Sequence, residues 1–118
     1  MHFDMPADDM SRATTFFSNV YGWKFDSYAP DNSYQMATTG DAPESGINGG
    51  IYKRTAPQQI LINHIGVESI DAILPIIEKN GGKIAMAKTP IPTMGYYAIF
   101  FDTEGNQHGL FQHDPSVA

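Results

Sequence analysis

The sequence predicts an α+β fold made of two β-α-β-β-β modules, and three observations predict it. The chain says nearly the same thing twice: His2-Phe3-Asp4-Met5 opens one extended stretch and His64-Ile65-Gly66-Val67 opens another. Each stretch leads into an amphipathic helical pattern that ends at glycine, at Gly22-Trp23-Lys24 in the first copy and Gly81-Gly82-Lys83 in the second. Three short strand-like runs then follow each helix. A repeat of this length in a chain of 118 residues marks a duplicated supersecondary unit. The first module takes residues 1–54 and the second 55–118, one domain in total, with Arg54-Thr55-Ala56-Pro57 at the join.

The elements follow in order from local chemistry. The first helix begins near Asp8-Asp9, where a carboxylate can cap free backbone N–H groups. Ala13, Phe16, Phe17, Val20 and Tyr21 recur at three- and four-residue spacing, which predicts an apolar stripe packed between helix and sheet. Gly22 stops the helix where a left-handed residue costs least. Trp23–Ala29 and Tyr34–Thr39 read as strands joined by the turn cluster Pro30-Asp31-Asn32-Ser33. Thr39–Gly46 reads as a loop, and Ile47–Lys53 as the fourth strand, with Gly49 and Gly50 leaving room for a close approach.

In the second copy, Gln59–Val67 reads as a largely apolar strand covered on both sides. Ser69 or Asp71 caps the next helix, with Ile73, Leu74, Ile76 and Ile77 on its buried side. Pro75 costs about 3 kcal/mol in a helix interior, so it is expected in the first turn or two, or at a kink. Lys83–Lys88, Tyr96–Asp102 and Gln107–His113 complete the strands, the last two joined by a hairpin at Asp102-Thr103-Glu104-Gly105-Asn106. Lys88–Gly95 is a Pro/Gly-bounded loop, either a connector or a lid.

Composition narrows the function classes. Without cysteine, disulfides, thiolate metal sites and cysteine nucleophiles are excluded. Thirteen acidic against seven basic residues give a net charge of −6, and no basic stripe is present to displace counterions, so nucleic acid is not an expected partner. No basic segment followed by an apolar run opens the chain, and no apolar stretch nears the ~20 residues of a membrane helix. A cytoplasmic protein without membrane partners is the expectation. Walker loops, dinucleotide fingerprints and Ser-His-Asp spacing are absent.

Several spaced anchors carry a family resemblance across the whole chain. They are Met5-Pro6-Ala7-Asp8-Asp9, Phe16-Phe17 with Tyr21-Gly22-Trp23-Lys24, and Ile65-Gly66-Val67-Glu68-Ser69-Ile70-Asp71. Gly81-Gly82-Lys83, Lys88-Thr89-Pro90-Ile91-Pro92 with Gly95-Tyr96, and Phe101-Asp102-Thr103-Glu104-Gly105-Asn106 with Gly109-Leu110-Phe111 complete them. In these the chain resembles the vicinal oxygen chelate superfamily, which contains glyoxalase I, bleomycin-resistance proteins and extradiol dioxygenases. The resemblance implies a cupped mixed sheet with helices outside, a cup that holds a small ligand or a divalent metal, and a homodimer.

It also implies a ligand set. Family metal sites use a His at the start of the first strand, a carboxylate late in the first module, a His opening the fifth strand and a Glu on the last strand. His2 and His64 fall on the two histidine positions; Gly109 falls on the last, and Gly49 or Gly50 on the second. Two imidazoles alone are an incomplete site for zinc, nickel, iron or manganese. The missing carboxylates also put glyoxalase and dioxygenase chemistry in question, since both reactions use the last one.

Asp4 shares a strand face with His2, about 6.6 Å along the chain, and stands as a ligand, as a partner orienting a histidine, or as a hydrated acid on the cup wall. His108 alternates off the Gly109 face. His113 lies on it but some 13 Å away. Phe111, on the Gly109 face, is a pocket wall or part of a dimer seam. The candidate residues are thus His2 and His64 for metal, with Asp4, Gly50, Gly109 and Phe111 lining a ligand pocket. The functional reading is a glyoxalase-related small-molecule-binding protein, with metal-assisted lyase or isomerase chemistry on a small metabolite. The alternatives are a metal-free drug or metabolite sequestering protein of the bleomycin-resistance type, and a module that pairs with another protein through a sheet edge.

Overall fold

The computed structural model describes residues 1–28, 30–40 and 46–118. The chain forms two compact units, His2–Ile62 and Asn63–Ala118. Both carry the β-α-β-β-β order, and the fold is α+β as the repeat predicts.

In the first unit, β1 (His2–Ala7) leads into α1 (Met10–Tyr21), and β2 (Lys24–Ser27), β3 (Tyr34–Thr38) and β4 (Gly49–Lys53) follow. The strands lie in the order β2-β3-β4-β1, with β1 and β4 parallel and the other pairs antiparallel. The Asp9 side chain accepts from the Arg12 N–H and caps α1, and Gly22 ends it at φ 71°. Ala29, at the end of one expected strand, and residues 41–45 of the expected loop lie outside the described residues.

The apolar stripe of α1 does not pack as expected. Phe16 and Tyr21 are 55% and 65% exposed, and no residue of the helix is buried. Trp23, which follows the Gly22 cap, folds back onto Phe17, with ring centroids 4.7 Å apart and planes within 9° of parallel. Trp23 also meets Phe3 and Phe25. The aromatic side chains pack on one another, and Phe16, Val20 and Tyr21 are left at the rim.

In the second unit, β5 (Ile62–Gly66) leads into α2 (Ile70–Lys79), and β6 (Lys83–Ile91), β7 (Gly95–Phe101) and β8 (Gln107–His113) follow in the order β5-β8-β7-β6. Ser69 caps α2 by accepting from the Ala72 N–H, and the Ile70 N–H donates to the Gln112 side chain of β8. Ile70, Ala98 and Leu110 form the core, with Val67, Ile73, Leu74, Ile77, Tyr96 and Phe100 packed around them. Ile76 falls off this stripe and is 53% exposed, and Pro75 sits in the second turn.

Two expected boundaries move by three residues. Gln59–Leu61 are not strand, because the Gln59 side chain accepts from the Thr55 and Ala56 N–H groups and closes a turn. The strand that remains alternates rather than being covered throughout: Ile62 and His64 are buried, Asn63 and Ile65 exposed. The expected loop at Lys88–Gly95 is mostly strand, since Thr89, Pro90 and Ile91 pair with Tyr97, Tyr96 and Gly95. Pro90 is tolerated because β6 is an edge strand of this unit, where a missing N–H need not break a ladder on both sides. A lid of that length is excluded; only residues 92–94 turn. A Cβ on Gly95, which has φ 149°, would collide with the Gln112 carbonyl oxygen, so the turn needs glycine there.

Candidate functional site

Strand alternation sorts the side chains of the first unit into two faces. Phe3 and Gly49 face α1's side, where the Phe3 ring lies against Gly49. His2 and Asp4 face the other way, and Asp4 is in register with Gly50. Gly50, rather than Gly49, is therefore the glycine on the histidine face. Tyr34 and Tyr52, directly opposite each other on β3 and β4, share that face.

The centre of this face is a three-residue arrangement. The Tyr34 hydroxyl donates to Asp4 Oδ1 at 2.6 Å. The other oxygen, Oδ2, stands 3.9 Å from His2 Nε2. Burial first, then the charge of Asp4, pushes the Tyr34 phenol well above the ordinary tyrosine range, so it keeps its proton. Tyr52 is raised for the same two reasons in the same order, with Arg54 opposing. The phenol passes directly over Gly50: a Cβ there would collide with the Tyr34 hydroxyl and ring, the Cε1 atom lying 2.8 Å away.

The second unit repeats the device with a different ring. His64 on β5 is in register with Gly109 on β8, and its side chain is buried at 6% exposure. A Cβ on Gly109 would fall 2.7 Å from His64 Cγ and closer still to Nδ1 and Cε1. The imidazole therefore occupies the space that a side chain on the last strand would fill. Phe111 follows on the same face, in register with Gly66 and Tyr97. Leu110 points the opposite way into the core, and His108 shares that opposite face, where it stacks on Phe100 and bonds Asp102 at 2.9 Å. His113 lies 6.5 Å from Phe111, centroid to centroid.

Each copy thus presents an imidazole, and the first adds an oriented carboxylate. Imidazole nitrogen and carboxylate oxygen suit zinc, nickel, iron and manganese. Two donors of one tetrahedral zinc stand about 3.4 Å apart at ordinary bond lengths. The 3.9 Å between His2 and Asp4 is therefore within a small side-chain adjustment of a shared ion. The residues fit a divalent metal, although both strand glycines are closed to the carboxylates that the resemblance implies.

Of the sequence candidates, the first unit brings His2, Asp4 and Gly50 onto one face, and the second does the same for His64, Gly109 and Phe111. Sequence reasoning missed the role of Tyr34. Its only signal was an aromatic residue on a strand near two glycines, and its 30-residue separation from Asp4 hid the contact.

This duplicated architecture, with an imidazole at the same point of each copy, is that of a glyoxalase-like protein. A model of the Glyoxalase/Bleomycin resistance protein/Dioxygenase superfamily matches residues 1–109, and the chain belongs to that superfamily. It is similar to a glyoxylase-like domain-containing protein of Didymella fabae, 32% identical over 114 residues that cover 91% of this chain and 88% of the relative. A longer relative from Mycobacterium bovis is 26% identical over 121 residues; the match takes in 92% of this chain but 43% of that protein. Among solved structures, a glyoxalase/bleomycin resistance protein/dioxygenase superfamily member from Vibrio splendidus has the same fold, with a TM-score of 0.66 and 14% identity over 94% of this chain and 96% of that one. Superfamily members bind small molecules, often with a divalent metal. Among the described residues, no helix is long and apolar enough to cross a membrane.

Proposed function

We propose that this protein binds a small, partly apolar or aromatic metabolite and acts on it as a metal-assisted lyase or isomerase, with His2 and Asp4 among the metal ligands and a homodimer as the working form. The observation that carries this reading is the Asp4 carboxylate, fixed by Tyr34 on one oxygen and turned toward His2 on the other. Imidazole with carboxylate is a donor combination that suits non-haem iron and zinc. When bound, the metal would supply Lewis-acid stabilisation of an enolate-like oxyanion. The chain's own part is to hold the ligands and to offer an apolar wall. His2 and Asp4 come from one strand face, and the aromatic rings of Tyr34 and Tyr52 stand on that same face.

A second reading has its own support. Gly50 and Gly109 stand where the superfamily's carboxylate ligands are expected, and rings already fill the space above them. That favours a metal-free protein that sequesters a drug or metabolite by shape. Elemental analysis of protein purified without a histidine tag separates the two. The metal reading expects near-stoichiometric zinc, nickel, iron or manganese, lost in Asp4→Asn. Protein that is metal-free, ignores added divalent ions and is still stabilised by small aromatic ligands would establish the second reading instead.

A further inference from the structure

We infer that Tyr34 is the positioning residue of the metal site: it fills the space above Gly50 and locks the Asp4 carboxylate in its place. The inference rests on the metal reading above and deepens it.

Three observations within the first unit converge. Tyr34 reaches across from β3 and donates to Asp4 Oδ1 at 2.6 Å, in the range of short bonds between a hydroxyl and a charged oxygen. That bond commits one carboxylate oxygen and leaves Oδ2 as the atom nearest His2 Nε2, at 3.9 Å. Asp4 is thereby set to bind through a single oxygen, with its free rotation removed. The same phenol occupies the space above Gly50, the β4 residue in register with Asp4. A longer residue at position 50 and the Tyr34–Asp4 bond are mutually exclusive as the backbone stands. One ring therefore both fills the space above Gly50 on β4 and orients the carboxylate on β1. A carboxylate ligand held by a hydrogen bond from behind follows the usual logic of metal sites, where loss of such a partner weakens metal binding about 10–100-fold.

The test is a cobalt(II) titration of metal-stripped wild type, Tyr34→Phe, Asp4→Asn and the double variant, followed by visible absorption. Tyr34→Phe keeps the ring over Gly50, and the melting temperature of the metal-free protein verifies that it is folded. The expected result is a 10–100-fold loss of cobalt affinity in Tyr34→Phe with altered d–d bands, and no further loss when Tyr34→Phe is added to Asp4→Asn. Unchanged affinity and bands in Tyr34→Phe, with cobalt bound by wild type, overturn the role of Tyr34 alone. A Tyr34→Phe effect that persists undiminished in the Asp4→Asn background overturns it too, because the tyrosine would then not act through Asp4. Wild type that binds no cobalt overturns the metal reading and this inference together.

Discussion

Replacing Gly109 by alanine tests the claim that the His64 ring occupies the place of a side chain on the last strand. The new methyl would fall 2.7 Å from His64 Cγ and nearer to two other ring atoms, about an ångström inside ordinary carbon–carbon contact at 3.5–4.0 Å. His64 is 6% exposed and cannot swing into solvent without leaving its place, so ring or strand must shift. Overpacking of this kind costs about 1–3 kcal/mol. An unfolding entropy of about 2.1 cal/mol/K per residue corresponds to about 0.25 kcal/mol per degree for a chain of this length, and the loss becomes a fall of roughly 4–12 °C in melting temperature. Thermal unfolding followed by circular dichroism reads it directly. The cost is specific to the imidazole, so the same substitution made in His64→Ala should be nearly silent, with a coupling of at least about 1 kcal/mol between the two positions. A Gly109→Ala melting temperature within a degree of wild type, or an equal loss in both backgrounds, would refute the reasoning.

Other expectations follow from the same contacts. Gly50→Ala should destabilise by a similar 1–3 kcal/mol and should be relieved in Tyr34→Ala, read as a double-mutant cycle in urea. The Asp102 carboxyl is held down at about 2, first by the bond from His108 and then by the Asn106 N–H. Its folded value lies below the ordinary carboxylate value near 3.9, so its stabilising contribution is present above about pH 4 and lost as pH falls toward 2. Unfolding of wild type and Asp102→Asn should accordingly differ at neutral pH and converge through that window; a constant difference down to pH 2 would contradict the assignment. Ser69→Ala removes the cap on the Ala72 N–H and should cost about 1 kcal/mol, or roughly 4 °C, in thermal unfolding.

What the sequence by itself determined are features settled within a few residues of chain. The caps at Asp9 and Ser69, the left-handed Gly22 and the hairpin at 102–106 were legible because capping and turn chemistry act locally. The last strand, Gln107–His113, falls where it was expected, and strand alternation alone put His2 and Asp4 on one face. The duplicated order of elements was visible as repetition, and with it the superfamily. Only the tertiary structure decided which atoms fill the space above the two glycines. Tyr34 reaches Gly50 and Asp4 through the β3–β4–β1 register, and His64 covers Gly109 through the β5–β8 register. Register depends on pairing between distant segments, and no local periodicity reports it. The same reason explains why the proline-containing run at 88–91 became an edge strand: a partner on another strand outweighed a local signal.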